Sequence, residues 1–260
     1  MQKFHLFVAA LLALVLVACQ GEATTGVDDL LESGRAHLEA GEYAEAIADL
    51  EAVVEADPGS SEAYFCLGQA YNQTGDLMKA ADEFRTVIAL DPDKAAAAHH
   101  NLGVTYFQLQ EPGAAVAEFQ AALELDPDDP DSHYQLGATY LVLALSGADL
   151  TTLPDPQLLE QAVAEFETAL ELKENMPEAL IGMGNVYIQQ GDYAAAIDTL
   201  QRAIEQIPDS PEAYYALGEA YARSGDTAGA CEAYSSFLAL DPPSNWRVQG
   251  EQAMTSLGCP

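Results

Sequence analysis

An all-α fold built from repeated helical hairpins is what this sequence predicts, and three periodic features predict it. Gly34, Gly68, Gly103, Gly137, Gly184 and Gly218 recur at spacings of 34, 35, 34, 47 and 34 residues. Ala46, Ala80, Ala115, Ala162, Ala196 and Ala230 follow them, 12 residues later in every unit but the fourth, where the gap is 25. Tyr71, Tyr106, Tyr140, Tyr187 and Tyr221 stand three residues past five of the glycines. A glycine inside a helix costs about 1 kcal/mol against alanine. Six at one phase therefore require a reason, and close approach of a second helix supplies it. The alanines then read as the small surface facing the glycines, and the tyrosines as area buried between units.

The punctuation agrees with this period. Pro58, Pro92, Pro127, Pro208 and Pro242 close successive units, because proline disfavours helical geometry in the residue before it. Gly41-Glu42, Gly75-Asp76, Gly191-Asp192 and Gly225-Asp226 mark the turn inside a unit, where glycine ends one helix before the next begins.

The run Tyr64-Phe65-Cys66-Leu67-Gly68-Gln69-Ala70-Tyr71, followed by Ala80, Phe84 and Pro92, resembles the helix–turn–helix signature of tetratricopeptide repeats. The resemblance implies a right-handed superhelical solenoid of about six hairpins. We place the repeats within residues 27–244, at about 27–60, 61–94, 96–129, 130–175, 177–210 and 211–244, with a capping helix over 245–260. Ser244 is expected to cap that last helix, whose Trp246, Val248, Ala253 and Leu257 would cover the open side of repeat six. In the fourth repeat the excess residues, about 144–157, lie between the two helices. Leu141 to Leu145 would prolong the first helix, and a loop through Pro154 and Pro156 would follow.

The first 19 residues stand apart from the repeats. Lys3 precedes an unbroken apolar run from Leu6 to Val17, too short to span a bilayer and right for a signal-peptide core. It ends Leu16-Val17-Ala18-Cys19, which resembles the bacterial lipobox. That resemblance implies acylation of Cys19 and residence as an extracytoplasmic, membrane-anchored lipoprotein. Gln20 in the next position favours the outer membrane facing the periplasm in a diderm cell; otherwise the outer face of the cytoplasmic membrane is expected. Residues 20–26 form a short tether.

Nine basic residues stand against 42 acidic ones, a formal charge of −33. Nucleic acid is excluded as a partner, since its phosphates require a basic footprint. A solvated acidic exterior and an acidic face that recruits a basic partner both fit this charge. No nucleophile–base set, phosphate loop or metal-ligand spacing is present, so neither enzyme activity nor a cofactor is predicted. His99 and His133 stand where Tyr64 and Tyr214 stand in other repeats and read as aromatic spacers. Asp126 to Asp131 reads as an inter-repeat turn rather than a calcium loop, lacking its glycine and terminal glutamate.

Cys231 lies near the start of the second helix of repeat six and Cys259 just past the capping helix. Antiparallel helices would bring the two together, predicting a disulfide. Cys66 is then a packed inner-helix residue.

In the family it resembles, the inner face of each first helix lines a channel for peptides. Projected onto that face are Phe65, Gln69, Asn72 and Gln73, then His100, Asn101, Phe107 and Gln108, then Tyr134, Gln135, Asn185 and Tyr215. Amides and aromatics of this kind suit main-chain hydrogen bonding with apolar anchoring, and none of these positions is a lysine. The expected function is a non-enzymatic scaffold binding protein or peptide partners at the cell envelope. The chain is similar in size, anchor and repeat count to the pilotin lipoproteins that assist secretins of type IV pili. A self-associating structural lipoprotein and an adaptor for a cell-wall enzyme are the other readings.

Overall fold

A computed structural model describes residues 26–146 and 153–260. The signal segment, Cys19, nearly all of the tether and the centre of the repeat-four insertion lie outside the described residues. What is described is helical hairpins and their connections, in two compact units divided between Gln110 and Glu111.

The first unit holds α1 (26–40), α2 (Tyr43–Ala56), α3 (Ser61–Thr74), α4 (Leu77–Leu90) and α5 (Ala95–Gln108). Helices adjacent in sequence pack on one another from α2 to α5, and α3 also touches α5. Leu50, Val53, Leu67, Tyr71, Phe84 and Leu102 form the core, with Leu30, Leu31 and Leu38 of α1 laid against it. The second unit holds α6 (Pro112–Leu125), α7 (Pro130–Ser146), α8 (Pro156–Leu172), α9 (Pro177–Gln190), α10 (Tyr193–Gln206), α11 (Pro211–Ser224), α12 (Thr227–Ala239) and α13 (Ser244–Leu257). Here too neighbours in sequence are neighbours in space, and α9 touches both α7 and α11. Within each unit the first helices of successive repeats therefore lie side by side.

The glycines explain the hairpins. A Cβ placed on Gly68 would fall 2.7 Å from the Phe84 ring, and one on Gly218 2.8 Å from Tyr234. At Gly34 and Gly184 the obstruction is Leu50 and Leu200, at 2.7 and 2.6 Å. In these hairpins the facing group is thus a large side chain four residues beyond the alanine. The alanines are fully buried, but the nearest atoms to these glycines belong to the larger side chains. In repeat four the alanine itself also comes close, with Ala162 O 3.1 Å from a Cβ on Gly137. In repeat four Phe166 wedges between Gly137 of its own hairpin and Gly182 of the next, with a Cβ 3.0 and 2.5 Å away respectively.

Turns close as backbone chemistry requires. Gly75 has φ +84°; its N–H donates to Asn72 O, and Asp76 N–H donates to Tyr71 O at 2.9 Å, satisfying carbonyls that the helix end leaves open. Gln110, at φ +62°, makes the corresponding turn in repeat three with a side chain present. In repeat four both helices are longer than those of the other repeats, 17 residues each.

Successive repeats are latched by the tyrosines. Tyr71 Oη donates to Glu51 at 2.6 Å, and Arg85 donates to Tyr106 Oη. Gln120 donates to Tyr140 Oη at 2.9 Å and Gln201 to Tyr221 Oη at 3.1 Å. In every case the partner sits on the preceding repeat's second helix. At the C-terminus Trp246 of α13 stacks on Tyr215, with ring centroids 6.1 Å apart, and leans on Phe237. Ser244 is the first residue of α13 and Pro243 precedes it without a side-chain cap, correcting the expectation that Ser244 is the cap.

Gly68→Ala is expected to destabilise the protein by about 1–3 kcal/mol, overpacking against Phe84 outweighing the gain in helix propensity. Gly113→Ala, with nothing near its Cβ, should be neutral or stabilising. Thermal unfolding of the two variants side by side checks this.

Candidate functional site

The first unit carries a hollow of about 430 Å³ on the row of first helices. Leu38, Phe65, Cys66 and Ala97 supply its apolar lining, while Arg35, Glu39, Glu62, Gln69 and Lys94 stand around it. Its walls come from α1, α3 and the start of α5, because 34- and 35-residue repeats bring equivalent helical faces into register. An adjoining hollow of about 470 Å³ shares Arg35, Glu39 and Glu62 and adds Asp28, Leu31, Glu32 and Ala36.

Charges cross the mouth of the hollow as a ladder. Arg35 Nη1 lies 2.7 Å from Glu62, and Lys94 Nζ lies 3.9 Å from the same carboxylate and 3.8 Å from Asp91. Ser61 Oγ donates to Asp91 at 2.7 Å, and chiefly this bond holds the Asp91 carboxyl below its ordinary range. Arg35 and Glu62 are largely exposed and Lys94 and Asp91 partly so, and pairs open to water contribute little to stability. The ladder sets where charge stands more than it stabilises the fold. Burial pushes the Cys66 thiol up, and neighbouring Glu62 adds to the effect.

Of the residues projected from sequence, Phe65 and Gln69 line this hollow. Asn72 is engaged across repeats, accepting from Thr105 Oγ1 at 3.2 Å. Asn101 turns back to donate to Ala97 O at 2.8 Å. His100 and Phe107 are half-buried on α5, and Gln73 and Gln108 are exposed. Tyr134, Gln135, Asn185 and Tyr215 belong to the second unit. Tyr134 packs on Phe166 with centroids 6.1 Å apart. Tyr215, half-buried, packs against Tyr234, Phe237 and Trp246 and so helps anchor the C-terminal cap. Asn185 remains half-exposed on α9.

Helical projection missed Arg35 and Lys94, and with them the cations that stand beside the hollow. Lys94 precedes α5 and reaches the site through its long side chain, which periodicity does not encode. His133 is likewise no mere spacer. Its Nδ1 lies 2.6 Å from Glu165 and its Nε2 3.0 Å from Pro127 O. Asp129 caps α7, accepting from Asp131 N and Ser132 N. Among the described residues no group of His, Cys, Asp and Glu could hold a metal ion, and no helix is long and apolar enough to cross a membrane. The structure joins Cys231 and Cys259, whose Cα atoms are 5.6 Å apart, and leaves Cys66 as a buried thiol.

Stacked hairpins with an open face on their first helices define a helical-repeat scaffold for protein–protein interaction. The chain belongs to the tetratricopeptide-repeat family. It matches that family's repeat over residues 31–95 and 211–244, and the related TPR repeat over 111–142 and 184–225. It is 34% identical over 97 residues to mouse Superkiller complex protein 3, covering 34% of this chain and 6% of that protein. Against cellulose synthase operon protein C of Escherichia coli K12 the identity is 42% over 59 residues, 23% of this chain and 5% of that one. The chain thus spans a small fraction of these curated relatives. Among solved structures, Pseudomonas aeruginosa pilF superposes with TM-score 0.70 at 18% identity, over 89% of this chain and 99% of that one. YrrB, described as a TPR protein with an unusual peptide-binding site, gives TM-score 0.58 at 21% identity, over 78% and 97%.

Native protein treated with iodoacetamide and mapped peptide by peptide should show Cys66 unlabelled and a Cys231–Cys259 cross-linked peptide. After reduction, α13 should exchange its amide hydrogens markedly faster. Equal labelling of all three cysteines before reduction contradicts the assignment.

Proposed function

We propose that this protein is a lipid-anchored adaptor of the cell envelope that catalyses nothing and takes up protein segments on the face of its first helices. The hollow between α1, α3 and the start of α5 carries this reading. An apolar floor bordered by amides and charges is what an extended segment needs, with side chains seated below and backbone polar groups met above. A peptide-binding site on the structurally similar YrrB supports the same use of the fold. The anchoring half rests on Lys3, the apolar run to Val17, and Ala18-Cys19, with acylated Cys19 inserted in the bilayer. Pilotin-like assistance to a secretin or type IV pilus is a second reading, favoured by likeness to pilF over nearly the whole of both chains.

Photo-crosslinking residues placed at Gln69 and Gln135 in living cells should capture one common partner, identified by mass spectrometry. The same residues at Asp82 of α4 and Asp198 of α10 should not. Capture only from Asp82 and Asp198 would remove the first-helix face as the binding surface. Cys19→Ser should move the protein from the membrane to the soluble fraction; unchanged membrane partition would end the anchoring half.

A further inference from the structure

The adjoining hollows of the first unit differ in what they lack. Arg35 and Lys94 already have carboxylates of the chain beside them, Glu62 at 2.7 and 3.9 Å and Asp91 at 3.8 Å from Lys94. A ligand carboxylate would therefore have to displace Glu62 or Asp91. Asp28, Glu32 and Glu39 stand around Leu31 and Ala36 and form no ion pair among the described residues. A ligand cation gains there without displacing a group of the chain, since Arg35 on the same rim is already held by Glu62. The apolar floor of Leu38, Phe65 and Ala97 lies directly alongside, because Arg35, Glu39 and Glu62 border both hollows. The chain's overall charge of −33 adds long-range attraction of the same sign.

From this juxtaposition we propose that the hollow takes an extended basic peptide segment. An apolar side chain of the segment seats on Leu38, Phe65 and Ala97, and a nearby Lys or Arg faces Glu32 and Glu39. The proposal rests on the reading of the first-helix face as a peptide-binding surface and specifies the chemistry of its ligand.

The test uses the full chain in detergent and three pools of fluorescein-labelled ten-residue peptides. Each pool carries Leu, Phe, Met or Tyr at one anchor position, and two flanking positions are Lys, Gln or Glu. Fluorescence anisotropy at low salt should show the Lys pool binding at least tenfold tighter than the Glu pool, with the difference shrinking as salt rises. Glu32→Gln with Glu39→Gln should weaken the Lys pool at least fivefold and shift the Gln pool less than twofold. Ala97→Trp, on an exposed edge of α5, should abolish binding of all pools without lowering the unfolding temperature. Tighter binding of the Glu pool, working through Arg35 and Lys94, overturns the proposal. So does binding by no pool, or indifference of the Lys pool to the two glutamine substitutions. Crosslinks from Gln69 with no preference for Lys peptides would leave the surface standing and reject its charge class. Crosslinks confined to Asp82 and Asp198 would reject the surface itself.

Discussion

Contact between a helical glycine and one large side chain of the partner helix is the constraint on which the hairpins within each unit depend. Gly68 against Phe84, Gly184 against Leu200 and Gly218 against Tyr234 repeat one geometry with three different side chains. The backbone must be bare on one side, and the other must fill the space it leaves. Interiors are close-packed, so a residue added at the glycine has nowhere to go. Phe166 extends the rule across repeats, since it fills the gap beside two glycines, one in its own hairpin and one in the next. Packing within a hairpin and packing between hairpins are there a single event.

Polar contacts then set the register that apolar contacts leave loose. Tyr71, Tyr106, Tyr140 and Tyr221 reach back to the preceding second helix, where their partners are Glu51, Arg85, Gln120 and Gln201. A phenolic hydroxyl both donates and accepts, so the position tolerates an acid, a base or an amide. That freedom lets the surface charge of the repeats vary while the stacking is preserved. The first-helix face is freer still, and it is where the two cations Arg35 and Lys94 come together around Glu62.

Much of the fold was readable from the chain alone because periodicity encodes helical phase. Glycines every 34 or 35 residues, turn glycines and unit-closing prolines each have one dominant physical meaning, and together they specify repeated hairpins. Phase does not encode which side chain fills a gap, so the alanines drew attention that belonged to Leu50, Phe84 and Tyr234. Of the candidate site, helical phase revealed Phe65 and Gln69, while Arg35, Leu38 and Glu39 on α1 escaped it because the first repeat departs from the pattern of the others. Lys94, just before α5, and the His133–Glu165 pair depend on reach between elements, which no spacing records. Tyr215 shows the converse. Its helical face is that of a groove residue, yet Trp246 from 31 residues later stacks on it.

The C-terminal helix decides what the last repeat shows to water. Trp246 and Gly250 turn inward on α13, Gly250 against Phe237, while Asn245, Gln249, Gln252 and Ser256 face water. Fastened covalently at its far end and seated by aromatic contacts near its start, α13 turns a mostly polar face outward, with Val248 as its exposed large apolar residue.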